Sequence, residues 1–197
     1  MRAEQRDHWL ASGAIWGPGL FIISWAVGGF LVPGYNPLED HISSLAAVNA
    51  PSRLLMNLGF ASFAIGVGMA AWPLARVIGN GAAPALACNA LFVFAVMLTP
   101  GGKSSGIDFL HGGFAFLVYL TLALVGPLAA LTFRKRGLSP WTIASLAVGT
   151  VTAVSLWVSL GETGSGLFQR IGLTTTDLWL MAVGVAVVTD RLPQRTE

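Results

Sequence analysis

Charge is scarce in this sequence. Asp, Glu, Lys and Arg make up 10% of its 197 residues, against roughly 25% in soluble proteins, which argues against a water-soluble fold. Cysteine is scarcer: Cys88 is the only one and sits inside an apolar run, so no intramolecular disulfide and no cysteine metal motif can form. There is no GxSxG elbow, P-loop or dinucleotide fingerprint, and no HxxxH or HExxH spacing. The formal charge of +2 comes from arginines scattered at loop ends, with no basic patch, so nucleic acid is not expected as a partner. No internal repeat, low-complexity tract or linker divides the chain, and residues 1–197 read as a single domain.

What is abundant is apolar length. The mean hydropathy is +0.71, and nearly uncharged runs of about 20 residues match a bilayer's apolar core of about 30 Å. The reading is all-α: a polytopic bundle of six membrane-spanning helices in the cell membrane, at about 13–33, 54–75, 82–100, 110–133, 140–160 and 170–189. Pro33, Gly34 and Pro37 end the first span, VIGNGAA turns the chain between the second and third, and Pro140 suits the first turn of the fifth. The first apolar stretch is longer than a signal-peptide core and is read as a retained helix. Arg2, Arg6, Arg76, Arg134, Lys135, Arg136, Arg191 and Arg195 fall on one side of this arrangement, and Arg53, Lys103 and Arg170 on the other. Positive loops stay cytoplasmic, so both termini are expected there.

Three polar stretches separate the apolar runs on the opposite side: Gly34 to Arg53, Gly101 to His111 and Gly161 to Arg170. Between them they hold Glu39, Asp40, His41, Ser43, Asp108, His111, Glu162, Gln169 and Arg170. Polar positions continue into the helices three and four residues apart, as at Thr152, Ser155 and Ser159, or Arg170, Thr174 and Asp177, and suggest an outward cavity. Serines and threonines in such helices often only bond a neighbouring helix. Ser105 reads as the cap of the fourth helix with Asp108 in its first turn, and Asp108 with His111 as a carboxylate–imidazole pair. A helix starting near Gln169 sets Asp177 about 12 Å below its end, where a charge is costly; the functional reading is preferred, and the alternative is a purely structural salt bridge with Arg170 or Arg53. His41, His111, Asp40, Asp108 and Glu162 are ligand types for a divalent metal, but their spacing is weak and no cofactor is assigned.

The segments GYNPLEDHISSLAA, DFLHGGFAF and GLFQRIGLTTTDLWLMAVGVAV, set between six apolar runs, resemble the domain of unknown function 998 family over nearly the whole chain. The matching features are Ile42, Ser43, Ser44 and Leu45 in the first outer loop, His111-Gly112 opening the fourth helix, and Gly166, Gln169 and Arg170 opening the sixth. The resemblance implies a small prokaryotic membrane protein with no settled activity. A weaker similarity, to ceramidase- and adiponectin-receptor-type membrane hydrolases, implies zinc at one end of a bundle, but the paired histidines of their last helix have no counterpart here.

The function expected from these residues is that of an enzyme acting on a membrane lipid or isoprenoid-like molecule. Asp177, Asp108, His111 and Glu162 would be the catalytic groups, and Arg170, Arg53, Asp40, His41, Ser43 and Gln169 would bind substrate. Proton-initiated cyclisation or isomerisation needs only one buried carboxylic acid as donor and ranks slightly ahead of hydrolysis. The competing class is a non-enzymatic transporter, lipid-binding subunit or sensor using the same cavity. The oligomeric state is not legible.

Overall fold

The computed structural model describes residues 2–161 and 163–192, and among these every regular element is helical. Five helices are long and apolar enough to cross a membrane. They are preceded by a short amphiphilic helix α1 (Ala3–Ala11), which continues through a bend at Ser12 into α2 (Gly13–Leu31). A 3-10 turn, Ile42–Ala46, follows, then α3 (Arg53–Leu98), α4 (Ser105–Lys135), α5 (Ser139–Val158) and α6 (Ser165–Val188). Each long helix packs on the next and α6 returns to α2, closing a ring.

At 46 residues α3 would be about 69 Å long if straight. It is not: Gly79 takes φ 91° and ψ 165°, outside the helical region, and the two arms fold back. A Cβ placed on Gly68 would touch the Ala90 Cβ at 3.8 Å, although 22 positions of straight helix would separate them by about 33 Å. The turn expected over VIGNGAA is therefore a single non-helical residue in an otherwise continuous helix. Thr132 of α4 packs so closely on Gly79 that any Cβ there would collide with its hydroxyl. Gly66 does the equivalent work between α2 and α3, where its backbone lies directly on Gly13 and Gly17, the close approach that small residues permit in membrane helices.

The bend defines one end of the bundle. Asp7, 5% exposed, accepts a bond from Arg76 beside it, and Arg136 at the end of α4 donates to the Val77 carbonyl at 3.3 Å. The three polar loops meet at the other end: Val48 N–H donates to the Gly101 carbonyl at 3.2 Å, His41 Nε2 to the Ser159 carbonyl at 3.3 Å, and Gly164 N–H to the Glu39 carboxylate at 2.7 Å. Large apolar side chains such as Phe30, Phe109 and Trp157 point outward, 92%, 81% and 75% exposed, as a lipid-facing wall would have them.

Two helix starts differ from expectation. Ser104, not Ser105, caps α4, its Oγ accepting from Ile107 N–H. More consequentially, α6 begins at Ser165, a turn ahead of Gln169, because Glu39 supplies its carboxylate to Gly164 N–H and its carbonyl to the Ser165 hydroxyl at 2.7 Å. Asp177 therefore lies twelve residues along the helix, about 18 Å from its start rather than 12 Å.

Candidate functional site

The Gly34–Arg53 stretch is a folded roof. Its 3-10 turn buries Ile42, Leu45 and Ala46 against the bundle, the apolar positions of ISSLA supplying the buried face. The start of α6 holds it from below. Leu167 N–H donates to the Leu38 carbonyl at 2.9 Å, and the Gly166 backbone lies so close to that of Asp40 that a side chain there has no room. Arg53 donates to the Val48 carbonyl at 3.3 Å and Ser52 Oγ to the Leu45 carbonyl at 2.8 Å, closing the loop onto α3.

Gln169 joins roof to interior. Its Oε1 accepts the Ile42 N–H at 2.7 Å and its Nε2 donates to the Tyr119 hydroxyl at 2.5 Å. The backbone N–H can only donate, so the amide orientation is fixed, and Tyr119, already accepting, keeps its own proton to give.

Beneath this bond is a cavity of about 50 Å³, room for a few waters. Its polar lining is Ser43 from the roof with Asn89, Tyr119, Gln169 and Asp177; Phe21, Phe60 and Phe63 form an aromatic wall, the Phe21 ring centroid 5.6 Å from each of the others. Asp177 is 2% exposed and its Oδ2 has no hydrogen-bond partner. Asn89 Oδ1 is equally unpartnered, although its Nδ2 donates to the Val118 carbonyl and Thr121 hydroxyl, both at 2.9 Å. Two residues that each carry a buried acceptor without a donor thus line one small, largely apolar space.

The structural alternative for Asp177, an ion pair with Arg170 or Arg53, does not form: the ion pairs among the described residues are Arg6–Asp7, Arg76–Asp7 and His8–Asp190, all at the opposite end. Arg170 lies two turns nearer the start of α6, about 10 Å along the axis, and is occupied with the roof. Its Nη1 donates to the carbonyls of Pro37, Asp40 and Gly166 at 2.7, 2.9 and 2.8 Å, and its Nη2 to the Tyr35 hydroxyl. Burial pushes the Tyr35 phenol above its ordinary value of 10.0, and the neighbouring Arg170 charge draws it partly back.

The expected Asp108–His111 unit does not assemble over the cavity. Asp108 Oδ1 accepts the Gly102 N–H at 2.8 Å, bracing the loop before α4, while His111 Nδ1 donates to the Thr99 carbonyl at 2.6 Å; neither lines the space beside Asp177. Asp40 accepts from Asn36 N–H at 2.7 Å, so Asp40, His41, Asp108 and His111 each hold a separate piece of backbone. Glu162 lies outside the described residues. Among those described, the trio of carboxylate and imidazole ligand atoms within 4.8 Å of one another is Glu4, His8 and Asp190, at the opposite end and carrying the His8–Asp190 ion pair at 3.2 Å.

Of the sequence candidates, Asp177, Gln169 and Ser43 meet at the cavity. Asn89 and Tyr119 are not among the sequence candidates; a polar amide in mid-span was the available signal for Asn89. Thr152 is a packing group: its hydroxyl lies 2.6 Å from that of Thr176 and donates to the Gly172 carbonyl, tying α5 to α6.

Fold and site together define an all-helical bundle of membrane-spanning helices enclosing a buried carboxylate under a folded loop. The chain belongs to the family described as protein of unknown function (DUF998), whose model matches residues 15–186. No curated protein and no solved structure matches it.

Proposed function

We propose that this protein is a six-span enzyme of the cell membrane, the two arms of α3 crossing separately and both termini cytoplasmic, that uses Asp177 as a general acid on an unsaturated lipid or isoprenoid-like molecule. The observation that carries this reading is the unpartnered Asp177 carboxyl in an aromatic-walled cavity. In its carboxylic acid form Asp177 gives its proton to one carbon of a double bond. The resulting cation is held by the faces of Phe21, Phe60 and Phe63, which attract positive charge, and by the free carbonyl oxygen of Asn89. Loss of a proton from an adjacent carbon to the Asp177 carboxylate restores the acid, so the isomerisation or cyclisation balances without a cofactor. Hydrolysis by an Asp108–His111 pair has less support, since those two residues are bonded to backbone away from the cavity.

A second reading, a non-enzymatic transporter, lipid-binding subunit or sensor, is favoured by the size of the cavity, which admits a hydrocarbon chain only after the roof or helices part. The experiment that separates the two compares membrane lipids of cells carrying wild type, Asp177→Asn or neither, with the thermal stability of both purified proteins. An enzyme gives a lipid change that Asp177→Asn abolishes, with equal insertion and unchanged or higher stability, because a buried unpaired acid is itself destabilising. A lipid profile in Asp177→Asn identical to wild type removes the acid from the mechanism, and a drop in stability of more than about 2 kcal/mol marks it as structural.

A further inference from the structure

A second polar feature lies on the outside of the bundle, and the cavity reading makes no use of it. Between α2 and the roof runs a groove of about 310 Å³ lined by Trp25, Ala26, Gly29, Phe30, Tyr35, Pro37 and Arg170. Arg170 is 8% exposed, yet no carboxylate among the described residues pairs with it. Its guanidinium carbon lies 5.4 Å from the ring centroids of both Trp25 and Tyr35. Carbonyls and a phenol satisfy its Nη atoms, which explains how it latches the roof. They leave two things unexplained: Arg170 Nε has no acceptor, and neither has the indole Nε1 of Trp25. A buried cation and two unused N–H donors thus border one groove, whose open side carries the outward-facing Phe30.

We infer that this groove binds the anionic head group of a membrane lipid, its phosphate or carboxylate oxygens accepting from Arg170 Nε–H and Trp25 Nε1–H while an acyl chain runs over Ala26, Gly29 and Phe30. An anion supplies the counter-charge that no described residue provides, and the planar guanidinium suits oxyanions. The aromatic rings on either side exclude water and strengthen the pair. The apolar wall selects an amphiphile over a free ion. The small Ala26 and Gly29 leave space for a chain along α2, and because both donor atoms are buried the rim of the groove moves for an anion to reach them.

The test titrates the purified full-length protein in detergent with dioleoyl phosphatidic acid, dioleoyl phosphatidylcholine and inorganic phosphate, read by native mass spectrometry and thermal shift. Phosphatidic acid is expected to bind at least about tenfold more tightly than phosphatidylcholine, and inorganic phosphate more weakly than either. Trp25→Phe keeps a ring over Arg170 but loses the N–H; it should weaken phosphatidic acid binding about tenfold, the worth of one charge-assisted hydrogen bond, without lowering the melting temperature of the lipid-free protein. Arg170→Lys, which keeps the charge and loses the fork, should do the same where it folds, and Trp25→Phe decides the matter where it does not. Equal binding of the two lipids, inorganic phosphate binding as tightly as phosphatidic acid, or an unchanged affinity in Trp25→Phe overturns the assignment.

Discussion

Gln169 and Arg170 are neighbours in sequence that serve opposite faces of the same problem. Gln169 sends its amide inward, fixing the roof to Tyr119 above the cavity, while Arg170 gathers three carbonyls on the outer face. Removing the first should therefore loosen the roof locally without releasing it. In Gln169→Leu the buried Ile42 N–H loses its acceptor, a loss of about 1–3 kcal/mol. We expect faster proteolysis within residues 34–52, a lower melting temperature, and an intact bundle by circular dichroism. Undiminished protection of that loop would show that Arg170 and Glu39 suffice and that the Gln169 bond is incidental. Asp177 behaves differently at this scale, since no group among the described residues pairs with it. Structural buried acids in this chain look like Asp7, which has Arg76 against it.

At the scale of elements, Gly79 is the position on which the longest helix turns. Its φ of 91° is strained for any L side chain, and Thr132 Cγ2 would lie 3.2 Å from an added Cβ. Gly79→Ala should destabilise the bundle by about 1–3 kcal/mol, read as a fall in melting temperature. Thr132→Ala in the same background should recover part of that loss, because it removes the hydroxyl and Cγ2 contacts and leaves the Cβ contact at 3.1 Å and the backbone strain. A neutral Gly79→Ala would mean that the bend is set elsewhere, at Pro73 or Pro84. The apolar runs and the break near Gly79 were legible from composition and turn chemistry. The start of α6 was not, because its cap is Glu39, 125 residues away from Gly164 in the chain, and no local pattern encodes such a partner. Burial of the roof was half legible: Ile42, Leu45 and Ala46 are apolar in a polar stretch, but their neighbours read as solvated. Asp177 was found by its intramembrane position alone, and its missing counter-ion depended on where Arg170 pointed, which spacing cannot decide.

For the whole molecule, the two ends differ in how much positive charge they leave to water, and this bears on orientation. Arg76 and Arg136 flank the bend, α1 packs beside them, and Arg134 and Lys135 close α4 at the same end. At the opposite end Arg170 is buried in the roof and Arg53 is half-buried, bonded to Val48. Lys103 is the exposed cation there. An inserting chain meets the asymmetry of the sequence itself, and retention of positive loops predicts the bend and both termini inside. Asn49, exposed on the roof, offers a direct probe once the native thiol is removed. In a Cys88→Ala background, Asn49→Cys should react with a membrane-impermeant maleimide added to intact cells, whereas Asn80→Cys, one residue past the bend, should react only after the cells are opened. A phosphatase fused after residue 197 should stay inactive. Labelling of Asn80→Cys from outside, with Asn49→Cys protected, would invert the molecule and place the roof in the cytoplasm. Labelling of both from outside would mean that the arms of α3 do not cross separately, and the six-span arrangement would fall with it.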